Sequence, residues 1–295
     1  MRIAFFGLPL AALLLQSDGH QIVWAGMCRR GAFGTRRLAR LVGASSVHAL
    51  PDASSEAVFD ELRLSRPELV VSWFWTKKIP RCILGLAPTI GIHPSLLPRH
   101  RGPDPYFWAI DAGDAVTGVT AHVLEEEYDT GAILGRRVLP IDPSWNAWRL
   151  ARALDRPSLA LLRETARGFA EGRAFAMCPQ DATLATMAPE PTDEELGLRW
   201  SWPAERIARR VRAAAPWPGA WTAIGERVVT ILRVGPTCDF PRTLAPGEGA
   251  VRTDGIAVVR AADDAIELLE GRGEDDEPLG AGALADIVDQ ARLVS

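Results

Sequence analysis

Lysine is nearly absent from this chain, and positive charge is not in excess. Lys77 and Lys78 are the only lysines, and the formal net charge at pH 7 is -4 with a sequence pI near 5.8. Proteins that bind nucleic acid mainly by neutralising phosphates carry a positive surface. The balance of charge therefore favours a small substrate over a nucleic acid.

Paired cysteines and long apolar runs are also absent. The cysteines have no C-x-x-C spacing, which argues against a zinc knuckle or a disulfide framework; they are Cys28, Cys82, Cys178 and Cys238. No segment approaches the roughly 20 apolar residues that a membrane helix needs. We expect reduced thiols, no metal, no membrane association and a cytoplasmic location.

The length and composition allow two domains. With 295 residues and 47% hydrophobic content, the chain can form one large core and one smaller core. After Cys178 the sequence becomes rich in proline, threonine and acidic residues, as linkers often are. We predict a catalytic domain over residues 1–185, a linker over 186–202 and a carboxyl-terminal domain over 203–295.

Short apolar runs alternate with helical segments in the first domain. Strands are predicted at residues 3–7, 21–25, 69–73, 90–93, 119–124 and 133–139. This alternation predicts an α/β fold with a doubly wound, mainly parallel sheet and a site at the carboxyl ends of its strands. A helix over 147–172, interrupted or started near Pro157, closes the domain. Gly7 and Pro9 break the first apolar run, so a buried strand fits it better than a signal peptide.

The second domain has a different pattern. A helix is predicted at residues 207–214, and short apolar segments follow at 228–234, 256–259 and 265–269 between Gly, Pro and Asp turns. This arrangement predicts a small β-rich, OB-like domain.

Two motifs carry most of the functional information. Residues 91–102 are Gly-Ile-His-Pro-Ser-Leu-Leu-Pro-Arg-His-Arg-Gly, and residues 129–131 are Asp-Thr-Gly. They resemble the folate-dependent formyltransferases, which include methionyl-tRNA formyltransferase, aminosugar formyltransferases and the hydrolase domain of 10-formyltetrahydrofolate dehydrogenase. Tryptophan-proline segments at 200–203 and 216–221 extend the resemblance over nearly the whole chain. It implies the formyltransferase fold and 10-formyltetrahydrofolate as co-substrate.

The resemblance also implies the catalytic residues. Formyl transfer to an amine needs a donor for the developing oxyanion and a base for the amine proton. In the family, a histidine lies against the formyl oxygen, an aspartate orients it and relays the proton, and an asparagine donates a second hydrogen bond. These positions correspond to His93, Asp129 and Gly91. The hydrolase domain named above also lacks the asparagine and shares the sequence of residues 93–102, so its absence does not imply an inactive enzyme.

Each catalytic residue also has a structural interpretation. His93 alone could cap a strand end, and Asp129 alone could be a turn residue before Thr130 and Gly131. Because the two motifs occur together at the family's spacing, catalysis is the better interpretation of both.

Folate is expected to contact an aromatic segment that ends in a proline. By resemblance, the predicted contacts are Trp73, Phe74, Trp75, Ile79 and Tyr128. Aromatic faces suit stacking on a pterin, and backbone groups can pair with its edge. The alternative, a buried strand end, is strongest for Trp73. Lys77 and Lys78 either meet the glutamate tail of folate or are ordinary surface lysines.

Four residues are predicted substrate contacts. Arg99 and Arg101 orient anionic parts of a ligand or remain solvated. Ser95 braces the loop, since no second histidine and carboxylate are spaced to activate it as a nucleophile. Asp104 pairs with the substrate amine or caps the following helix.

The acceptor is predicted from charge. From Arg199 to the end, 12 arginines and no lysine face 15 acidic residues, whereas a tRNA acceptor needs a basic surface. We therefore predict that tRNA is not the acceptor. An arginine cluster contacts a nucleotide diphosphate or forms the solvated face of a helix; its members are Arg29, Arg30, Arg36, Arg37 and Arg40. The enclosed residues 32–35 resemble a loop of the enzyme that formylates UDP-4-amino-4-deoxyarabinose.

Beside formyl transfer to methionyl-tRNA, an alternative that the charge disfavours, three functions remain open from the sequence. The first is formyl transfer to a primary amine of a small molecule, such as a nucleotide-linked aminosugar. The second is hydrolysis of 10-formyltetrahydrofolate or formyl transfer to a carrier thiol. The third is folate binding without catalysis.

Overall fold

The computed structural model describes residues 1–294, which form two compact units. The first contains residues 1–105, 116–140 and 152–189, and the second contains residues 106–115, 141–151 and those from 190 onward. In the described residues, none of the helices combines the length and apolarity required to cross a membrane.

The first unit is organised by a seven-stranded sheet. Its strands are β1 Arg2–Gly7, β2 Gln21–Met27, β3 Val47–Ala49, β4 Leu69–Trp73, β5 Thr89–His93, β6 Val116–His122 and β7 Ile133–Pro140. The strand order is β3-β2-β1-β4-β5-β6-β7. The first five strands in this order, β3, β2, β1, β4 and β5, are parallel to one another, whereas β6 is antiparallel to both β5 and β7. The predicted doubly wound, mainly parallel sheet is therefore confirmed, with an antiparallel edge.

Helices and turns connect these strands and link the units. They are α1 Pro9–Ser17, α2 Thr35–Val42, α3 Glu56–Ser65, α4 Arg81–Leu84, α5 Pro105–Ala112 and α6 Ala147–Ala170, with 3-10 turns at Ala44–Ser46 and Ala182–Leu184. Strands β1, β4 and β5 are buried along almost their whole length, as central strands of parallel sheets are. Gly7 ends β1 at a close approach, because a Cβ there would lie 1.7 Å from the carbonyl oxygen of Trp73.

Helix α6 differs from the sequence prediction. The structure has one continuous helix of 24 residues that includes Pro157, with no interruption or start at that position. An interior proline typically costs about 3 kcal/mol through its missing hydrogen bond and its ring. Leu154, Leu161 and Leu162 are buried on the same helix, so packing of its apolar face offsets the cost.

The second unit is built on a six-stranded antiparallel sheet. Its strands are β8 Ala220–Ile224, β9 Arg227–Thr237, β10 Gly249–Val251, β11 Ala257–Arg260, β12 Ala265–Arg272 and β13 Pro278–Gly280, and its helices are α7 Asp193–Leu196, α8 Ala204–Ala214 and α9 Ala281–Val294. The predicted β-rich carboxyl-terminal domain is confirmed as an antiparallel sheet.

A buried ion cluster joins α5 to α8 within the second unit. The Arg210 guanidinium donates two hydrogen bonds to the Asp111 carboxylate, at 2.7 and 3.1 Å, and Arg206 pairs with the same carboxylate. The side chains of Asp111 and Arg210 are 3% and 5% exposed. Burial raises the pKa of Asp111, but the hydrogen bonds and charges of the two arginines outweigh it and hold that pKa below its usual value.

Candidate active site

Two neighbouring strands bring the site together. In the antiparallel register of β5 and β6, Gly91 lies opposite His122 and His93 lies opposite Thr120. Side chains two residues apart on a strand share a face, and residues directly opposite across a pair also share it. His93 and His122 therefore emerge on the same side of the sheet, beside the backbone of Gly91.

His93 is buried and held from both sides of its ring. Its side chain is 7% exposed. The Nε2 atom lies 2.7 Å from the carbonyl oxygen of His100, which can only accept, so Nε2 carries a proton and donates it. The Nδ1 atom then faces Asp129, 3.4 Å from Oδ2. The structure thus brings together the two residues that the motifs predicted as a unit.

The loop around Asp129 is fixed by hydrogen bonds. The backbone N–H of Gly102 donates to Asp129 Oδ2 at 3.0 Å. The side-chain amide of Gln180 donates to the carbonyl oxygens of Asp129 and Gly131, each at 2.8 Å, and Arg101 donates to Gln180 Oε1. Asp129 adopts a left-handed backbone with φ 58°, which aspartate tolerates better than most residues. Arg101 therefore supports the aspartate loop through Gln180.

His122 is a site residue that the sequence reasoning missed. Its side chain is 3% exposed, and its Nε2 lies 3.6 Å from Asp129 Oδ1. Its Nδ1 donates to the carbonyl oxygen of Val123 at 2.8 Å. Burial lowers the pKa of His122, and the negative charge of Asp129 opposes that shift without cancelling it. The available signal was a histidine within a predicted strand, seven residues before Asp129.

Gly91 has no room for a side chain. A Cβ at this position would lie 2.6 Å from Leu124 Cδ2 and 2.8 and 2.9 Å from His122 Nε2 and Cε1. The chain's one asparagine, Asn146, caps α6, where its Oδ1 accepts the N–H of Arg149 at 2.9 Å. No asparagine therefore takes the place of the family residue at 91.

The predicted folate contacts fall into two groups. Trp73 and Ile79 are buried, and the Trp73 Nε1 donates to Ser158 Oγ at 2.7 Å. Phe74 and Tyr128 are 36% and 45% exposed. The alternative of a buried strand end thus describes Trp73, whereas Phe74 and Tyr128 offer ring surface to a ligand.

Trp75 belongs partly to each group. It packs edge-on against Phe6 and against the buried core beside β4. Its Nε1 is buried without a hydrogen-bond partner among the described residues. A buried indole N–H normally has an acceptor, so a folate heteroatom at this loop fits the orphaned donor.

The remaining predicted contacts have structural partners. Ser95 is fully buried and its Oγ donates to the carbonyl oxygen of Arg99 at 2.6 Å, as expected of a residue that braces the loop. The prediction that Ser95 is not a nucleophile assumed that no second histidine lies near a carboxylate. His122, beside Asp129, is such a histidine. Asp104 donates its backbone N–H to the carbonyl oxygen of Ala188, and Arg99 is exposed. Lys78 pairs with Glu127 at 3.1 Å, with both side chains exposed.

The family comparisons cover both parts of the chain. The model described as "Formyl transferase" matches residues 40–165, and "Formyl transferase, C-terminal domain" matches residues 191–286. "Methionyl-tRNA formyltransferase" of Mycobacterium sp. (strain KMS) is 35% identical over 278 residues, 89% of each chain. The protein of the same name from Chloroflexus aurantiacus is 33% identical over 298 residues, 96% of each chain.

Solved structures share the fold. An N-formyltransferase from Helicobacter canadensis, in complex with folinic acid and dTDP-3-aminofucose, has a TM-score of 0.68 at 12% identity, covering 90% of this chain and 98% of that one. HypX from Aquifex aeolicus, in complex with tetrahydrofolic acid, has a TM-score of 0.66 at 21% identity. The alignment covers 96% of this chain and 46% of HypX, so the chain spans about half of HypX.

One prediction is wrong in the light of these relatives. The net acidic charge of the carboxyl-terminal part led to the prediction that tRNA is not the acceptor. Relatives named for methionyl-tRNA match both domains at 33–35% identity, which contradicts that exclusion. Net charge fails here because binding depends on where the charges lie, and the exposed arginine cluster lies in the other half of the chain.

The matched family models cover residues 40–165 and 191–286, and the relatives cover 89–96% of the chain. The chain belongs to the formyl transferase family and is a formyl-transferring enzyme.

Proposed function

We propose that this enzyme transfers the formyl group of 10-formyltetrahydrofolate to the amino group of methionyl-tRNA. The observation that carries the proposal is the identity to methionyl-tRNA formyltransferases, 33–35% over 89–96% of both chains. The buried pair of His93 and Asp129 supplies the chemical groups that amine formylation needs.

The chain's own residues suggest how the reaction proceeds. Bound 10-formyltetrahydrofolate supplies the formyl group. His93 donates through Nδ1 to the formyl oxygen when its ring is protonated, since Nε2–H is already committed to His100. Asp129 takes the proton that the amine loses, and the hydrogen bonds from Gly102 and Gln180 keep its loop in place. Preorganised groups of this kind need no rearrangement during the reaction.

The arginine cluster supports a phosphate-rich acceptor. Its five members are exposed: Arg29 and Arg30 follow β2, and Arg36, Arg37 and Arg40 lie on α2. Within residues 1–294, no carboxylate forms an ion pair with any of them. Arginines without a protein partner are available to bind phosphate bidentately.

A second acceptor class has a specific observation in its favour. Only seven residues separate Met27, at the end of β2, from Thr35, at the start of α2, and residues 32–35 resemble an aminosugar formyltransferase loop. A nucleotide-linked aminosugar would place its diphosphate against the same arginines. The first experiment must distinguish this acceptor from methionyl-tRNA.

The deciding experiment is tetrahydrofolate release from 10-formyltetrahydrofolate under three conditions, namely with methionyl-tRNA, with an aminosugar nucleotide and without any amine. We expect release with methionyl-tRNA, and formyl-methionine on the recovered tRNA. Release only with an aminosugar nucleotide would contradict methionyl-tRNA as the acceptor and identify the aminosugar nucleotide instead. Release that is equally fast without any amine would contradict transfer and establish a hydrolase.

The arginine cluster gives a separate prediction. The double substitution Arg36→Ala/Arg37→Ala should raise KM for methionyl-tRNA by about tenfold and leave kcat nearly unchanged, because lost phosphate contacts weaken binding but not chemistry. The slope of log KM against log salt concentration should fall by about 1 to 2, which is the contribution expected of two phosphate contacts. Both quantities are measured by formylation at several salt concentrations.

A matched variant controls for net charge. Arg63→Ala/Arg66→Ala removes two exposed arginines at the end of α3, near the amino end of β4 and so at the opposite edge of the sheet. It should leave KM and the salt slope unchanged. An equal effect of both double variants would show that overall charge, and not the cluster, matters.

A further inference from the structure

The second histidine of the site has a position and a hydrogen-bonding pattern that suggest a role. We propose that His122 replaces the missing side chain at Gly91: it occupies the space above that glycine and holds the proton that Asp129 takes from the amine. The inference rests on the proposed amine formylation. It adds a positioning and proton-holding residue to that reaction.

Gly91 packs directly against the ring of His122. The two residues lie directly opposite each other across β5 and β6. A Cβ added at position 91 would lie only 2.8 Å from the Nε2 atom of the His122 ring. Observed Cβ atoms do not approach neighbours this closely. The imidazole is rigid and 3% exposed, and its Nδ1 is bonded to the carbonyl oxygen of Val123. A side chain at 91 would therefore displace the His122 ring, together with Leu124 Cδ2, which would lie 2.6 Å from the same Cβ.

The hydrogen bond to Val123 fixes the polarity of the ring. A carbonyl oxygen only accepts, so the proton of the neutral imidazole is on Nδ1 and Nε2 presents a lone pair. That lone pair faces Asp129 Oδ1 at 3.6 Å, beyond hydrogen-bond distance. Two acceptors are thus opposed, and a proton added between them would convert the contact into a hydrogen bond.

Burial keeps the His122 ring neutral, whereas the nearby carboxylates favour its protonation. Burial lowers the pKa of His122, so the ring is neutral before the reaction; His93 lowers it further, and Asp129, the Val123 carbonyl and Glu125 raise it. These groups come from β5, the Asp129 loop and the segment after β6. During turnover the negative charge of Asp129 stabilises the added proton, which is shared between the Asp129 carboxylate and the Nε2 atom of His122.

The reaction balances with this arrangement. The amine nitrogen forms a bond to the formyl carbon, and its proton passes to Asp129 Oδ1, where His122 Nε2 shares it. The bond between the formyl carbon and the donor nitrogen then breaks with its electron pair on that nitrogen. The stored proton returns through Asp129 to the donor nitrogen. No proton is gained or lost overall, and the carboxylate and imidazole are restored.

The first test adds a single methyl group. Gly91→Ala should lower kcat by at least about tenfold with little change in folate affinity, because it displaces His122 and not the folate loop. The matched control is Gly135→Ala in β7 of the same sheet, where a Cβ would meet only Leu161 Cδ1 at an ordinary 3.5 Å. Equal activity of both variants and wild type would overturn the packing step.

The second test separates position from proton transfer. His122→Ala should lower kcat by about 100-fold, the contribution typical of a proton-transfer group, and should shift the acidic limb of the pH profile of kcat. Gly91→Asn alone should also be impaired. The double variant Gly91→Asn/His122→Ala should exceed both single variants by at least tenfold, since space and a polar side chain are then provided together.

Controls distinguish the possible failures. His48→Ala removes a half-buried histidine on β3 and should leave kcat and its pH profile unchanged. Circular dichroism and folate titration establish that each variant folds and binds. Unchanged kcat and pH profile in His122→Ala would overturn the proposal, as would a double variant no better than the single ones.

A spectroscopic readout separates this proposal from the proposed function. Nitrogen-15 NMR of labelled histidine should show His122 neutral with its proton on Nδ1 at pH 7, and Asp129→Asn should shift its titration. This measurement needs no acceptor. If wild-type enzyme releases tetrahydrofolate without an amine, the proposed function fails, while the same variants still test His122 in the water reaction.

Discussion

Replacing Asp129 with asparagine should lower kcat for formyl transfer by about 100- to 10,000-fold, the range typical of a general base. The amide is nearly the same size as the carboxylate and can still accept the Gly102 N–H, so the loop should keep its conformation. It cannot take a proton from the amine, and it carries no charge to balance a protonated His93 3.4 Å away. Folate affinity should change little because the folate loop is untouched.

The measurement is formylation at saturating acceptor, together with folate affinity by fluorescence titration. His93→Ala should cause a similar loss, and the double variant should be little worse than either single one, since residues that act as a unit are not additive. Asp52→Asn is the control: Asp52 also accepts backbone and hydroxyl hydrogen bonds in a turn, from Ser54. Wild-type turnover in Asp129→Asn would refute the assignment of the pair.

His93 and Asp129 could be predicted because each lies in a contiguous motif. His122 could not, because its contact with Gly91 depends on the antiparallel register of β5 and β6. The alternation of strands and helices predicted a parallel sheet, and a change of direction or register changes which residues face each other. The sequence showed that a side chain was missing at 91, but only the fold showed what fills the space.

The aromatic segment after β4 illustrates a second limit. The family resemblance marked every ring from Trp73 to Trp75 as a possible folate contact. The backbone separates them: Trp73 ends the buried strand, whereas Phe74 has a positive φ of 60° and turns outward. Alternation along a strand is predictable, but a left-handed residue that interrupts it is not visible in the composition. Charge shows the same limit, because the prediction about tRNA used the net charge of the carboxyl-terminal part, whereas the exposed arginine cluster lies in the other half of the chain.

Replacing Asp111 with asparagine should lower the free energy of unfolding by about 3 to 5 kcal/mol, the typical cost of removing one partner from a buried ion pair. Arg210 is 5% exposed and donates two hydrogen bonds to Asp111. An amide can accept one of them but cannot neutralise Arg210 and Arg206. Two guanidinium groups would then remain close together without a counter-ion. Denaturant unfolding at pH 7, followed by circular dichroism, measures the change.

The pH dependence provides an independent check. The pKa of Asp111 is held below its unfolded value of about 3.9, so its contribution is present above that value and is lost as the pH falls through the lower folded pKa. Wild-type stability should therefore decline in that acidic window, and the decline should be smaller in Asp111→Asn. Glu270→Gln is the control, because its partner Arg233 is exposed and such pairs contribute at most about 1 kcal/mol.

A compensating variant identifies the cause of the loss. Asp111→Leu/Arg210→Leu removes the buried charges together, and apolar replacements of buried ion pairs are often neutral or stabilising. This variant should be more stable than Asp111→Asn, although it has lost more hydrogen bonds, because Arg206 is 27% exposed and can turn to solvent. If it were less stable than Asp111→Asn, the hydrogen bonds and ring contacts of Arg210 with Phe107 and Trp202 would be the main contribution. The cost of an unpaired buried charge would then be the minor one.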